Sequence, residues 1–265
     1  MRQRMVTVVV GIAVTLVVGV LGAAPISAAN PNGELPVVPV YGRDVGNGVR
    51  LYVDVFYARG GNPGPPGGGG TTLVDCTDGA SSATASPFAF AKNSALDMHL
   101  NTATIPTGLN ASPAIQAAVN AWNAAGSTVG QSDLLSLTTS GTSETGPGQN
   151  GTSTIGFAKL APKNVLAATW TWVDGANHII EADLFFNTMN PWAVLGPCIQ
   201  GTTTATGKFD VADIATHELG HALGLNHISD ANAQATMYPS APSDEIRKTT
   251  LTGGDIASLQ VSVSG

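Results

Sequence analysis

Apolar and polar residues alternate along GVRLYVDVFYA, residues 48–58, a period of two that predicts one or two β-strands. The alternation stops at RGGNPGPPGGGG, residues 59–70, a run that holds neither helix nor sheet and predicts a linker or exposed loop. Order returns near Met98, where ALDMHLNT predicts a strand. SPAIQAAVNAWNAAG, residues 112–126, predicts a helix: Ser112 is the expected N-cap, Pro113 lies in the first turn, and Ile115, Val119 and Trp122 share one face. TTSGTSETGPGQNGTST reads as a polar loop. VLAATWTWVDG and HIIEADLFFNT read as two strands joined by a turn at Asp174-Gly175-Ala176-Asn177. In VADIATHELGHALGL the period changes to that of a helix. Ile214, Leu219 and Ala222 recur on one side, Asp210 stands as an acidic N-cap, and Asp213 lies in the first turn.

The first thirty residues follow a different pattern. Arg2 and Arg4 precede an apolar block that ends on small residues, with Ser27 and Ala29 at −3 and −1 of a cleavage site, as in a secretory signal peptide. The block from Met5 to Ala24 approaches the ~20 residues that span a bilayer, so an uncleaved anchor is the alternative. Pro25 and the small residues after it favour cleavage, and no later segment is long and apolar enough to span.

The chain has 265 residues and is 43% hydrophobic, enough for one ordinary domain plus extras. Its net charge is −7, and the 11 Lys and Arg form no cluster, so a nucleic-acid partner and stable association with anionic lipid are not expected. Export places the two cysteines in an oxidising compartment. Cys76 and Cys198 are expected to pair, closing a long loop that stabilises the fold by ~4 kcal/mol on a chain-entropy argument. The other role open to them is a thiolate that caps a metal, but LVDCTDG and LGPCIQG lack the basic and Gly-Val-Pro flanks of such switches.

The chemistry concentrates in THELGHALGLNH. Of five histidines in the chain, three stand at 217, 221 and 227. Residues four apart lie one above the other on a helix, with Cβ atoms ~5–6 Å apart, so His217 and His221 can aim ring nitrogens at one point. A zinc ion with bonds of ~2.0–2.1 Å needs a third protein ligand and an open fourth position for hydrolysis. A straight helix cannot supply that ligand. Gly224 can end the helix in a left-handed conformation and bring His227 round. Glu218, beside the first ligand but off its face, can take a proton from a water at the ion and pass it to a leaving amine. His99 and His178 stand apart and read as ordinary strand-end histidines.

HELGHALGLNH resembles the long zinc signature of the metzincins, and ATMYPS, with Met237 and Tyr238, resembles their methionine turn. Within that clan, FDVADIATHELGHALGL, MYP, IIEADLFFN and LTGGDIASLQ are similar to the active-site helix, turn, substrate-pairing edge strand and C-terminal helix of the secreted matrixins. The resemblance runs from about Met98 to Gln260. It implies an α/β sandwich: a twisted mixed sheet with an antiparallel edge strand, an active-site helix, a C-terminal helix, and a cleft where a peptide adds as a further strand. By residue it implies His217, His221 and His227 as zinc ligands, Glu218 as general base, and Gly224, Met237 and Tyr238 in support.

The sequence departs from the family at Ile228, after the third histidine, and in a slightly longer segment to the methionine. Nothing matches the His- and Asp-rich loop that holds a structural zinc in animal matrixins. One zinc is therefore expected, with calcium a further candidate ion that no residues place. The resulting organisation is a signal peptide (1–29), an N-terminal extension with its linker (30–97) and a zinc metallopeptidase domain (98–265), monomeric, extracellular and acting on proteins or peptides. Propeptide, binding module and added part of the fold are all open to 30–97. The competing reading of the whole is a secreted binding or adhesion module with a vestigial or structural metal site. A closed structural site needs a fourth protein ligand and has no use for Glu218.

Overall fold

The alternating segment forms a hairpin of β1 (Val40–Gly46) and β2 (Val49–Ala58). Asn47 and Gly48 turn it with φ of +56° and +74°, which suits the tight turns that join twisted antiparallel strands. The computed structural model describes residues 29–59, 76, 89–90, 94–200, 206–228 and 235–264. The signal-peptide segment 1–28 and residues 60–70 of the Gly/Pro run lie outside the described residues. No helix among the described residues is long and apolar enough to cross a membrane.

After the hairpin come β3 (Leu96–Leu100), α1 (Ala111–Thr128), β4 (Leu135–Thr138), β5 (Ser153–Ala158), β6 (Val165–Val173), β7 (Ile179–Asn187), α2 (Val211–Ala222), β8 (Ser240–Ala241) and α3 (Gly253–Ser264). The eight strands make one mixed sheet in the order β8-β2-β6-β7-β5-β3-β4, with β1 on β2. The pairs β3–β4, β3–β5, β5–β7 and β2–β8 are parallel; β1–β2, β2–β6 and β6–β7 are antiparallel. The α/β class with a mixed sheet is as the resemblance implies.

Two local expectations change. The segment IIEADLFFN is interior, between β6 and β5, and is not a free edge. Its side chains already carry the reason: Leu184 and Phe186 belong to one apolar core and Phe185 to the other, so both faces of β7 are buried. α1 starts at Ala111 with Asn110 as its N-cap, two residues before the expected cap at Ser112. Ser112 and Pro113 therefore fall in the first turn, where a proline's missing N–H costs nothing.

Residues 49–58, expected to stand in an extension, are built into the sheet. Tyr52 and Phe56 pack with α1 and α2 in one core; Leu51, Val53 and Val55 pack with Trp170 and Trp172 of β6 in the other. Burial of each large side chain of this kind is worth ~1.5–3 kcal/mol, so β2 contributes substantially to the fold. Helices α1 and α2 pack on each other, and the indole N–H of Trp122 donates to the carbonyl of Thr216 at 2.8 Å.

Cys76 and Cys198 are joined across 122 residues, which leaves no thiolate to cap a metal. Thiol titration of the unfolded, unreduced chain should find none, and reduction should lower stability by about 2–5 kcal/mol in denaturant melts. Two free thiols, or an unchanged midpoint after reduction, would contradict this.

Candidate metal centre

Helix α2 begins where Asp210 accepts the N–H of Asp213 at 2.9 Å, a side-chain cap on the first turn. It ends in a Schellman motif. Gly224, at φ +83°, donates to the carbonyl of His221 at 2.9 Å, and Leu225 donates to that of Gly220, also at 2.9 Å. The reversal carries His227 back to the helix. The three Nε2 atoms then lie 3.0 Å (217–221), 3.0 Å (221–227) and 3.1 Å (217–227) apart.

Three imidazole nitrogens this close cannot all be hydrogen-bond donors to one another. The opposite nitrogens show which way two rings face: Nδ1–H of His217 donates to the carbonyl of Thr236 at 2.6 Å and that of His221 to the carbonyl of Leu225 at 2.7 Å. The Nε2 lone pairs of both rings are thus turned to the shared centre, the usual orientation of metal-binding histidine. Burial drives all three ring pKa values down, to about 4 for His221 and about 3 for His227, with that of His217 also well below its ordinary value. The rings are neutral at physiological pH and can donate electron pairs. A tetrahedral ion with bonds of ~2.0–2.1 Å sets its ligand atoms roughly 3.3 Å apart, close to the spacing found, so the residues fit zinc.

Glu218 is fully buried on α2. Its Oε2 accepts the hydroxyl of Thr169 on β6 at 2.6 Å, while Oε1 has no hydrogen-bond partner among the described residues. Burial raises its pKa well above the ordinary carboxyl value, the nearby Asp54 adds to the rise, and the Thr169 bond opposes it. A buried oxygen without a partner costs free energy unless a ligand or water meets it, so Oε1 marks a place where something binds.

Met237 is fully buried and sits under the same helix. A Cβ on Gly220 would collide with its sulfur and would approach Trp122 Cζ2 to 2.9 Å. The glycine within the histidine motif is thus demanded by methionine packing. Tyr238 lies outside this contact, with the Arg59 and Lys248 cations 5.6 and 5.5 Å from its ring centroid.

The two glycines give a paired prediction. Alanine normally stabilises a helix interior by ~0.5–1 kcal/mol over glycine, but Gly220→Ala should destabilise by about 1–3 kcal/mol through overpacking. Gly224→Ala should cost ~1 kcal/mol or more and weaken zinc binding beyond that, because His227 hangs on the turn. Denaturant midpoints and zinc titrations measure both; a more stable Gly220→Ala protein would remove the role given to Met237.

His99 and His178 stay out of the cluster: His99 Nδ1 lies 2.9 Å from the Ser140 carbonyl, and His178 Nδ1 lies 3.9 Å from Asp174. Three residues beside the site have no signal in the motif. Thr169 holds Glu218, Asp54 of β2 lies 3.8 Å from His221 Nδ1, and the Phe56 ring packs tilted against that of His217, with centroids 4.0 Å apart. The carboxyl of Asp54 is pushed up to about 6 by burial, against the pull of His227. Alternation along β2 places Tyr52, Asp54 and Phe56 on one side, but which element that side faces is a long-range matter.

Residues 149–262 match the family model of the matrixins (Peptidase_M10), a span that includes β5 to β7, all three histidines, Glu218 and Met237. The chain is also 34% identical over 99 residues to Metalloendoproteinase 1 of Glycine max. That alignment covers 37% of this chain and 28% of the soybean protein, well short of two thirds of the relative's length.

Proposed function

We propose that this chain, matrixin-like over residues 149–262, is a secreted zinc-dependent endopeptidase that hydrolyses peptide bonds of extended protein substrates. The observation that carries the reading is the convergence of three histidine Nε2 atoms, two of them on fully buried rings and the third on a half-buried one, beside a carboxylate oxygen without a hydrogen-bond partner among the described residues. His217, His221 and His227 would hold the ion. When bound, zinc supplies Lewis-acid polarisation of a carbonyl and makes hydroxide accessible near neutral pH. Glu218 takes the proton of the attacking water on Oε1 and delivers it to the leaving amine. Thr169, through its bond to Oε2, fixes which carboxylate oxygen is free for that transfer. Among the described residues, the cluster that could hold a metal contains three ligands and no fourth, which favours an open site over a closed structural one. In this reading residues 1–29 direct export and 98–265 carry the catalysis.

The test is cleavage of an unfolded, dye-labelled protein that stops with a chelator and returns with zinc, together with close to one zinc per chain by metal analysis. Two tightly held zincs would overturn the single site. Tight zinc with no cleavage under any condition, including release of β2 from the sheet, would favour a binding module.

A further inference from the structure

An added peptide strand needs a free sheet edge over the metal centre, and here that place is taken. The antiparallel strand β6, which supplies Thr169 to Glu218, is paired along its whole length with β2, from Arg50 opposite Val173 to Tyr57 opposite Val165. On its other side β2 is paired over Val49–Val53 with β1, the first arm of its own hairpin, and beyond that it meets the segment after the methionine turn: Tyr57 donates to the carbonyl of Pro239 at 3.2 Å, Arg59 to that of Ala241 at 2.8 Å, and β8 runs parallel to it. The second half of β2 thus lies as an extended strand in a groove walled by β6 and residues 239–241, while its first half runs between β6 and β1. Asp54 stands directly opposite Thr169, and the ring of Phe56, two residues on, packs tilted against that of His217. With β2 seated, Phe56, His217, Glu218 and His221 are each 0% exposed. A cleft lined by Tyr41, Tyr52, Asp54, Asn226 and His227 still opens beside the third histidine.

Resting on the endopeptidase reading, in which a peptide adds as a strand beside β6, we propose that residues 49–58 are the resident occupant of that groove. They engage it as an extended peptide would, with main-chain hydrogen bonds on both sides and one aromatic side chain anchored on the first metal ligand. An ion has a path to the histidines through the cleft at His227, but a peptide cannot reach Glu218 until β2 leaves. The chain with β2 in place is therefore closed to protein substrates, and every external peptide pays for displacing it.

The test separates binding from turnover by using zinc-loaded Glu218→Gln protein, in which a bound peptide is not cut. Fluorescence anisotropy with a labelled peptide of residues 49–58 compares this protein with Glu218→Gln/Phe56→Ala. Loosening the strand should tighten binding by about tenfold or more, since apparent affinity scales with the fraction of open groove. Because loss of Phe56 also removes core packing, a second measurement uses no substitution there. Saturating peptide should speed hydrogen exchange of the Tyr57 and Arg59 amides while leaving β7 unchanged. Equal affinities, or amides of β2 that stay protected with peptide bound, would overturn the proposal. Tighter binding in the loosened protein with no cleavage by Phe56→Ala would instead leave the occupant in place and remove the peptidase reading.

Discussion

Glu218→Gln should keep its zinc and lose peptide cleavage by ~10²–10⁴-fold, the usual worth of general acid–base assistance. The substitution is close to isosteric, and a glutamine carbonyl can still accept the Thr169 hydroxyl that now bonds Oε2. Nothing in the three-histidine geometry depends on the carboxylate, because the Nδ1 atoms of His217 and His221 are held by the carbonyls of Thr236 and Leu225. Stability should not fall, since a neutral amide replaces a carboxylate whose ionisation burial already opposes. Metal content, thermal midpoint and turnover, taken in the parent and in the Phe56→Ala background, decide the matter. A Glu218→Gln protein that cuts at near the parental rate would end the mechanism.

His221→Ala separates the other half of the site. Binding of a structural zinc is worth ~10–16 kcal/mol shared among its ligands, so losing one of three should weaken zinc by roughly 10³-fold or more. Cleavage should vanish with the metal, and high zinc should restore little of it. Competition with a chromophoric chelator reads the affinity directly. Unchanged zinc affinity in His221→Ala would mean that the ion is held elsewhere, whereas the pair of variants together distinguishes a proton shuttle from a ligand.

What the sequence makes legible is local. The helix 211–222 is announced at both ends, by Asp210 and by Gly224, and each end behaves as its chemistry requires. The turn 174–177 is legible for the same reason: Asp174 accepts the N–H groups of Ala176 and His178, and Asn177 takes φ +68°. Strand neighbours are different. β2 and β6 both announce themselves as strands, yet nothing in a period of two says that they pair across more than a hundred residues, or that the pairing buries the edge of β6. Thr169 and Phe56 are invisible for that reason, being ordinary strand residues until a partner strand or helix is laid against them. Glu181 and Asp183 on β7 show the same limit: they are buried acceptors for the loop amides of Asn150, Gly151 and Gly148 and for that of Thr154 on β5, a use that alternation on an edge strand does not suggest.

The histidine cluster itself has a consequence for how the molecule comes into being. Its three nitrogens belong to residues 217–227, so bringing them together closes loops of only a few residues, and the turn that does so is part of the helix end. The hydroxyl that orients Glu218 lies 49 residues away and arrives only when the sheet has formed. Loop-closure entropy grows with the logarithm of length, and the longer closure costs about 2 kcal/mol more on that scaling. A nascent or partly folded chain can therefore bring its three histidines together on α2 before the strands assemble, whereas Glu218 gains its orienting hydroxyl only with a sheet whose contacts are distant in sequence and slow to find.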